Sequence, residues 1–89
     1  MNERIAVISS QIHAVGYNED TRDLDVEFKA SGDKPRPVYR YPGVDMGDFL
    51  DFVQSESIGK SFAKFKVNRD FKKIALVHPD GQEELLPDV

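Results

Sequence analysis

The spacing of apolar residues changes at Pro42-Gly43, and this change limits the folds that the chain can adopt. Before this point, Leu24, Val26 and Phe28 alternate with charged residues, which is the period-two pattern of a half-buried strand. After it, the apolar residues follow the i, i+3, i+4, i+7 spacing of an amphipathic helix, at Met46, Phe49, Leu50 and Val53. Because no single element accommodates both periods, the chain must combine a sheet with helices.

Two further strands are predicted on either side of the alternating strand. Residues 12–17 are rich in apolar side chains, and residues 18–22 form a tight connection to the alternating strand. Residues 38–41 contain β-favouring aromatics and end at the Pro-Gly pair, which removes a backbone donor and permits a turn. Residues 30–37 are polar and rich in glycine and proline, so they are predicted to form an exposed loop.

The rest of the chain predicts a second helix and a short tail. Ser57 is a candidate N-cap, and the helix should end at residue 67 or 68, because beyond this point Arg69 would rotate onto its apolar face. Residues 74–77 and 84–86 then predict a C-terminal hairpin. The fold class is therefore α+β: a small antiparallel β-meander of three or more strands, followed by two short helices packed on it.

The size and composition of the chain limit its architecture and its location. Its 89 residues favour a single domain over residues 1–89. Because it has no cysteine, a reducing compartment is favoured, and we expect a cytoplasmic location. The apolar run at residues 5–8 is shorter than that of a signal peptide, and no run is long enough to span a membrane. The formal net charge of −4 argues against wholesale non-specific binding of nucleic acid.

Several short pieces of the sequence occur in an order that is characteristic of a known family. They are Ile8-Ser9-Ser10, Gly16-Tyr17, Leu24-Asp25-Val26-Glu27-Phe28, Tyr39-Arg40-Tyr41 and Ser57-Ile58-Gly59-Lys60. On these pieces the chain resembles the KTSC domain from about residue 8 to residue 71, with residues 72–89 as a C-terminal extension. KTSC domains occur alone or at the carboxyl end of some lysyl-tRNA synthetases, and the resemblance implies a suggested role in RNA binding.

The chain departs from the pattern of that family at three places. The family commonly carries an aromatic-Phe-Asn run in its last helix, where this chain has Ser61-Phe62-Ala63. The loop at residues 30–37 is longer than is usual, and the extension at residues 72–89 lies outside the resemblance. The resemblance therefore implies no function for the loop or the extension.

The triplet Tyr39-Arg40-Tyr41 has two interpretations. Exposed aromatic rings on a sheet can stack on unpaired bases while a neighbouring arginine contacts phosphate. In a strand, however, the two tyrosines share one face and Arg40 takes the other, so rings that face the helices would be buried. The triplet is therefore either a nucleic-acid-binding surface or part of the core, and core packing is favoured.

The segment from Lys60 to Lys73 is a second candidate site. Its six basic residues and one acid give it a charge of +5, whereas the rest of the chain carries −9. On the predicted helix, Lys60 and Lys64 project away from the apolar face, and together with Lys66 and Arg69 they could follow a phosphate backbone. The alternative is a solvated surface that keeps a small protein soluble.

The sequence predicts no catalytic, metal-binding or cofactor-binding residues. Gly59-Lys60-Ser61 is similar to the end of a phosphate-binding P-loop, but that motif requires a glycine where Gln54 stands and a strand before the loop. His13 and His78 have no cysteine partners and no metal-ligand spacing. We therefore expect a protein that is not an enzyme and that holds neither a cofactor nor a metal.

Two non-enzymatic functions remain, and they belong to different classes. The first is an accessory domain that binds RNA or another nucleic acid weakly and in a salt-sensitive manner, through Lys60, Lys64, Lys66, Arg69, Arg40, Tyr39 and Tyr41. The second is a protein–protein interaction or adaptor module that uses a sheet edge or the loop at residues 30–37. The sequence slightly favours RNA, predicts no membrane contact, and leaves the partner and the oligomeric state open.

Overall fold

A single antiparallel sheet of six strands carries two helices on one face. The computed structural model describes residues 3–87, so residues 1–2 and 88–89 of the predicted domain lie outside the described residues. The elements are β1 (Ile5–Ala6), β2 (Ile12–Asn18), β3 (Asp23–Phe28), β4 (Arg36–Tyr41), α1 (Met46–Val53), α2 (Ile58–Phe65), β5 (Lys72–Val77) and β6 (Glu83–Leu85). The strands lie in chain order across the sheet, and both helices are inserted between β4 and β5. The predicted α+β class is confirmed.

The sheet is larger than the three-stranded meander seen in the hydrophobic pattern. The predicted C-terminal hairpin is present, and its first strand β5 pairs with β4, so the extension continues the sheet. Strand β1 was not predicted, because two residues are too few to show a period. Its residues Ile5 and Ala6 pair with Val15 and Ala14 of β2.

Strand β4 starts at Arg36, two residues before its predicted start, so the loop before it is shorter than expected. Arg36 and Pro37 pair with residues of β5, whereas pairing with β3 begins only at Val38. Pro37 therefore lies before the first residue that pairs with β3, which is a position where a strand tolerates the missing N–H of proline. The Arg36 side chain is held by Glu27, as described below.

The transition from sheet to helix occurs at the predicted Pro-Gly turn. Gly43 has a φ of 67°, which L-residues with side chains rarely adopt. The next residue, Val44, is fully buried, and its backbone N–H donates to the Arg22 carbonyl oxygen. The Tyr17 hydroxyl donates to the Val44 carbonyl oxygen. These bonds connect the start of α1 to the turn between β2 and β3.

The two faces of β3 pack against different groups of residues. Leu24 and Val26 point into the core between the sheet and the helices. The other buried residues of this core are Ile12, Val15, Tyr41, Val44, Phe52 and Phe62. Asp25 and Glu27 alternate with them and point to the opposite face, as period two requires. The prediction of a half-buried strand leaves that face in solvent, but Asp25 is fully buried and Glu27 is only 4% exposed. The expectation was wrong because arginines from distant parts of the chain cover these acids.

The acids of β3 are enclosed by an ion-pair network. Glu27 accepts a hydrogen bond from the Nε of Arg4 at 2.9 Å and from the Nε of Arg36 at 2.6 Å. Arg4 also bonds to Glu83 of β6. This bond shows that the sheet curls, which brings the segment before β1 close to β6. At Gly16, a Cβ atom would clash with the carbonyl oxygen of Glu3, so only glycine lets this segment cross β2. Within residues 3–87, no helix is both long and apolar enough to cross a membrane.

Candidate nucleic-acid interface

The basic residues of α2 and its C-terminal end lie on two different sides of the helix. Lys60 and Lys66 line an open cleft of about 530 Å³ between α2 and the segment at residues 8–11. Lys64 and Arg69 line a separate cleft toward α1, where Asp48 also lies. The four predicted phosphate ligands are therefore not one continuous row, because the neighbouring segments of the chain flank α2 on both sides.

The cleft that contains Lys60 and Lys66 is rich in hydroxyl groups, and we name it the α2 cleft. Besides the two lysines, its lining includes Ile8, Ser9, Ser10, Gln11, Glu56, Ser57, Ile58, Gly59 and Ala63. The Ser9 hydroxyl accepts the backbone N–H groups of Gln11 and Ile12 at 3.2 Å each, which orders the turn that forms one wall. Ammonium and hydroxyl groups both donate to phosphate oxygens, so this lining suits an anionic backbone.

Ser57 occupies the N-cap position of α2, as predicted, but it does not cap the helix. Its backbone is extended, with φ −130° and ψ 97°, and its side chain makes no capping hydrogen bond. Gly59 lies opposite Ser9, whose hydroxyl oxygen would be 3.7 Å from an added Cβ. The small residues at this end of the helix leave the α2 cleft open toward Lys60.

Arg69 has a structural role between the two helices. Its Nε donates to the Phe65 carbonyl oxygen at 3.0 Å, at the C-terminal end of α2. A terminal nitrogen donates to Asp48 of α1 at 2.7 Å, and the guanidinium lies 4.3 Å from the centre of the Phe65 ring. Two of its three nitrogens thus donate to groups of the protein, and Asp48 offsets its charge.

Tyr41 is part of the core and offers no ring face to a ligand. Its side chain is 4% exposed, and its ring lies 5.7 Å from Phe62 and 5.8 Å from Phe65, edge to face in both cases. Burial raises the pKa of the Tyr41 hydroxyl above its ordinary value. Tyr39 is half-buried, with its ring edge-on to Phe28 at 5.5 Å. The interpretation of both tyrosines as packing residues agrees with this geometry, and Tyr41 as a stacking surface does not.

Arg40 projects from the opposite face of the sheet, as the period of the strand predicts. Its guanidinium makes two hydrogen bonds to the buried carboxylate of Asp25, at 2.8 and 3.0 Å. The bond to Asp25 raises the pKa of Arg40, against the opposing effect of burial. Arg40 therefore neutralises a buried acid and is not positioned beside the α2 cleft.

Phe71 was not predicted as a site residue, although 61% of its surface is exposed. Its ring forms a T-shaped pair with Tyr39 at 5.5 Å and lies 5.7 Å from Tyr41, tilted by 37°. Two lysines follow it, and the pattern Phe71-Lys72-Lys73 is the sequence signal that could have identified it. An exposed aromatic residue beside cations is a common feature of single-strand binding surfaces.

An apolar groove lies on another part of the surface, between β1 and α1. It has a volume of about 510 Å³ and is lined mainly by aliphatic and aromatic residues, which include Ile5, Val7, Met46, Phe49 and Val53. Glu3 and Glu19 also line it. Among residues 3–87, no group of three or more histidine, cysteine or acidic residues could hold a metal ion.

Comparison with known proteins matches the chain to one family. A family model of the KTSC domain matches residues 8–71. The crystal structure of a KTSC domain protein from Yersinia pestis is similar to this chain, with a TM-score of 0.72 and 31% sequence identity. That match covers 83% of this chain and 99% of the Yersinia chain, so it extends beyond residues 8–71. No match is found among curated proteins.

Proposed function

The chain belongs to the KTSC domain family, and from this premise we propose that it is a non-catalytic accessory domain that binds RNA at the α2 cleft. The observation that carries the proposal is that Lys60 of α2 and Lys66 at its C-cap line the same cleft, together with the hydroxyl groups of serines. Both lysines are exposed and belong to a segment of charge +5, in a chain that is otherwise strongly acidic. A cytoplasmic location is part of this proposal.

The proposed binding is weak and sensitive to salt. Each phosphate that a cation contacts on a single strand changes the slope of log K against log salt by about −0.7. Two lysines in the α2 cleft thus give a slope of about −1.4, with any further contacts adding to it. The acidic remainder of the chain repels the phosphate backbone elsewhere, which confines binding to the basic side.

The proposal that the domain has no catalytic activity rests on the state of its buried acids. Asp25 and Glu27 are the buried charged residues among those described, and such groups are frequent catalytic candidates. Both carboxylates are held by arginines. Burial by itself would raise the pKa of Glu27. The hydrogen bonds that Glu27 accepts from Arg36 and Arg4 outweigh this effect, so its pKa lies below the ordinary value. A carboxylate in this state is a poor proton acceptor or donor near neutral pH.

The test is fluorescence anisotropy with labelled single-stranded RNA and with a tRNA pool, at low and at moderate salt. Lys60→Glu and Lys66→Glu should each weaken binding at low salt, and the double variant should abolish it. Lys34→Glu is the matched control, because it makes the same charge change in the exposed loop before β4. If the wild type does not bind at low salt, or if Lys34→Glu weakens binding as much as the cleft variants, the proposal is wrong.

The apolar groove between β1 and α1 favours a second candidate function, the binding of a protein partner. A groove lined by Ile5, Met46 and Phe49 suits apolar side chains, and such a complex would survive moderate salt. Met46→Glu would place a charge in this groove and should abolish the interaction. A partner whose binding in moderate salt is unaffected by this change would contradict the candidate.

A further inference from the structure

Phe71 is an exposed ring on an otherwise packed aromatic cluster. It lies just before β5, and its ring contacts Tyr39 and Tyr41 while 61% of the residue surface stays in solvent. Exposed hydrophobic residues occur singly on many proteins and by themselves need no explanation. The surroundings of Phe71 distinguish it from the other exposed apolar residues.

The aromatic cluster connects Phe71 to the α2 cleft. Ring contacts of 5.7 Å join Phe71 to Tyr41 and Tyr41 to Phe62. The ammonium group of Lys66, which lines the α2 cleft, lies 5.9 Å from the centre of the Phe62 ring. Phe71 and Lys66 therefore lie near the two ends of one cluster of touching rings, on the face of the sheet that carries the helices.

Basic residues accompany the exposed ring as well. Lys73 is exposed and is the direct cross-strand partner of Tyr39 in the pairing of β4 with β5. Since directly opposed residues of an antiparallel pair share a face, Lys73 lies beside Tyr39, the residue on which Phe71 packs. The surface around Phe71 thus offers an exposed aromatic ring together with positive charge.

We propose that Phe71 is a stacking platform for an unpaired base of an RNA strand whose phosphates contact Lys66 and Lys73. This inference rests on the proposed function and narrows it to single-stranded RNA, because a base in a duplex has no free face to stack on a side chain. Stacking of one base on an aromatic side chain contributes a factor of roughly 5 to 150 in affinity. The position of the ring at the end of the aromatic cluster keeps it ordered, which reduces the entropy lost on binding.

The test compares two labelled oligonucleotides of about ten nucleotides, one of uridines and one of abasic residues with the same phosphates. The wild type should bind the uridine strand more tightly. Phe71→Leu keeps an apolar side chain against Tyr39 but removes the aromatic face, so it should lose roughly 5- to 150-fold in affinity for the uridine strand and little for the abasic strand. Leu85→Ala on β6 is the control, since Leu85 is similarly exposed and should not affect binding.

A second variant reports on stacking without relying on affinity. The chain has no tryptophan, so Phe71→Trp introduces a single fluorescent indole at this position. The uridine strand should quench its emission, and the abasic strand should not. Equal binding of both strands by the wild type, or no quenching of bound Phe71→Trp, would overturn the platform while leaving the α2 cleft intact. If the wild type binds neither strand, the proposed function and the platform both fail.

Discussion

The ion pairs around Glu27 should contribute a large part of the stability of this small domain. Glu27→Gln removes the charge that Arg4 and Arg36 share, and breaking a buried ion pair by removing one partner costs about 3–5 kcal/mol. The cost should lie at the lower end, about 3 kcal/mol, since the Arg36 side chain is 28% exposed and Arg4 keeps its bond to Glu83. For a domain of this size, that corresponds to a decrease in Tm of about 12–24 °C.

The pH dependence of this effect has a definite sign. The folded-state pKa of Glu27 lies below the ordinary value of 4.5, so its contribution to stability is fully present above pH 4.5 and is lost as the pH falls through the folded pKa. The difference in unfolding free energy between the wild type and Glu27→Gln should therefore be constant near neutral pH. It should become smaller below pH 4.5.

Urea unfolding followed by circular dichroism, from neutral pH down to acid pH, measures both quantities. Glu84→Gln is the control, because the Glu84 side chain is 56% exposed and its pairing with His78 on the surface should be worth little. A loss of less than about 1 kcal/mol for Glu27→Gln, within the range of an exposed pair, would contradict this prediction. A difference that stays constant down to acid pH would refute it as well.

Two further predictions concern the backbone near β1 and the pairing of the helices. Gly16→Ala should destabilise the domain by about 1–3 kcal/mol in urea unfolding, because the new Cβ meets the Glu3 carbonyl oxygen. Gly47→Ala in α1 is the control, since its Cβ has open space and the change should be neutral or stabilising. Equal effects of the two changes would contradict this prediction. Arg69→Ala should lower the free energy of unfolding by about 1–2 kcal/mol, because it removes the bonds to Asp48 and to the end of α2. In the anisotropy assay it should reduce RNA affinity less than Lys66→Glu does. A larger loss of affinity for Arg69→Ala than for Lys66→Glu would place the phosphate site between the helices.

The amphipathic elements of this fold were predictable because each shows several repeats of its period. The apolar positions of α1 and the alternation along β3 both span two or more repeats, and both elements are present within a residue or two of their predicted bounds. Strand β1 has only two residues, and its existence depends on pairing with β2. Local pattern carries no signal for an element of that kind.

The burial of the β3 acids could not be predicted from β3 itself. Alternation correctly places Asp25 and Glu27 on the face opposite Leu24, but whether that face is wet depends on Arg4, which lies 23 residues away from Glu27 in the sequence. The curl of the sheet that brings Arg4 to Glu27 and Glu83 is a tertiary property. The expectation of a solvated face thus failed on a contact that no local pattern shows.

The candidate site was predicted in part. Helical geometry correctly placed Lys60 and Lys64 on the surface, and strand geometry correctly separated Arg40 from the two tyrosines. The division of the lysines between two clefts depends on how α1 and the segment at residues 8–11 pack on either side of α2. Whether any of these residues binds RNA stays a prediction.

Chemical-shift mapping by NMR would show directly whether RNA contacts the α2 cleft and Phe71. The ¹⁵N-labelled domain is titrated with a single-stranded RNA of about ten nucleotides at low salt, and the backbone amide shifts are followed. We expect the largest changes at Ser9, Gly59, Lys60 and Lys66, which line the α2 cleft, and at Phe71 in the aromatic cluster. Shift changes centred on Ile5 and Met46 in the apolar groove, or no changes at all, would contradict it.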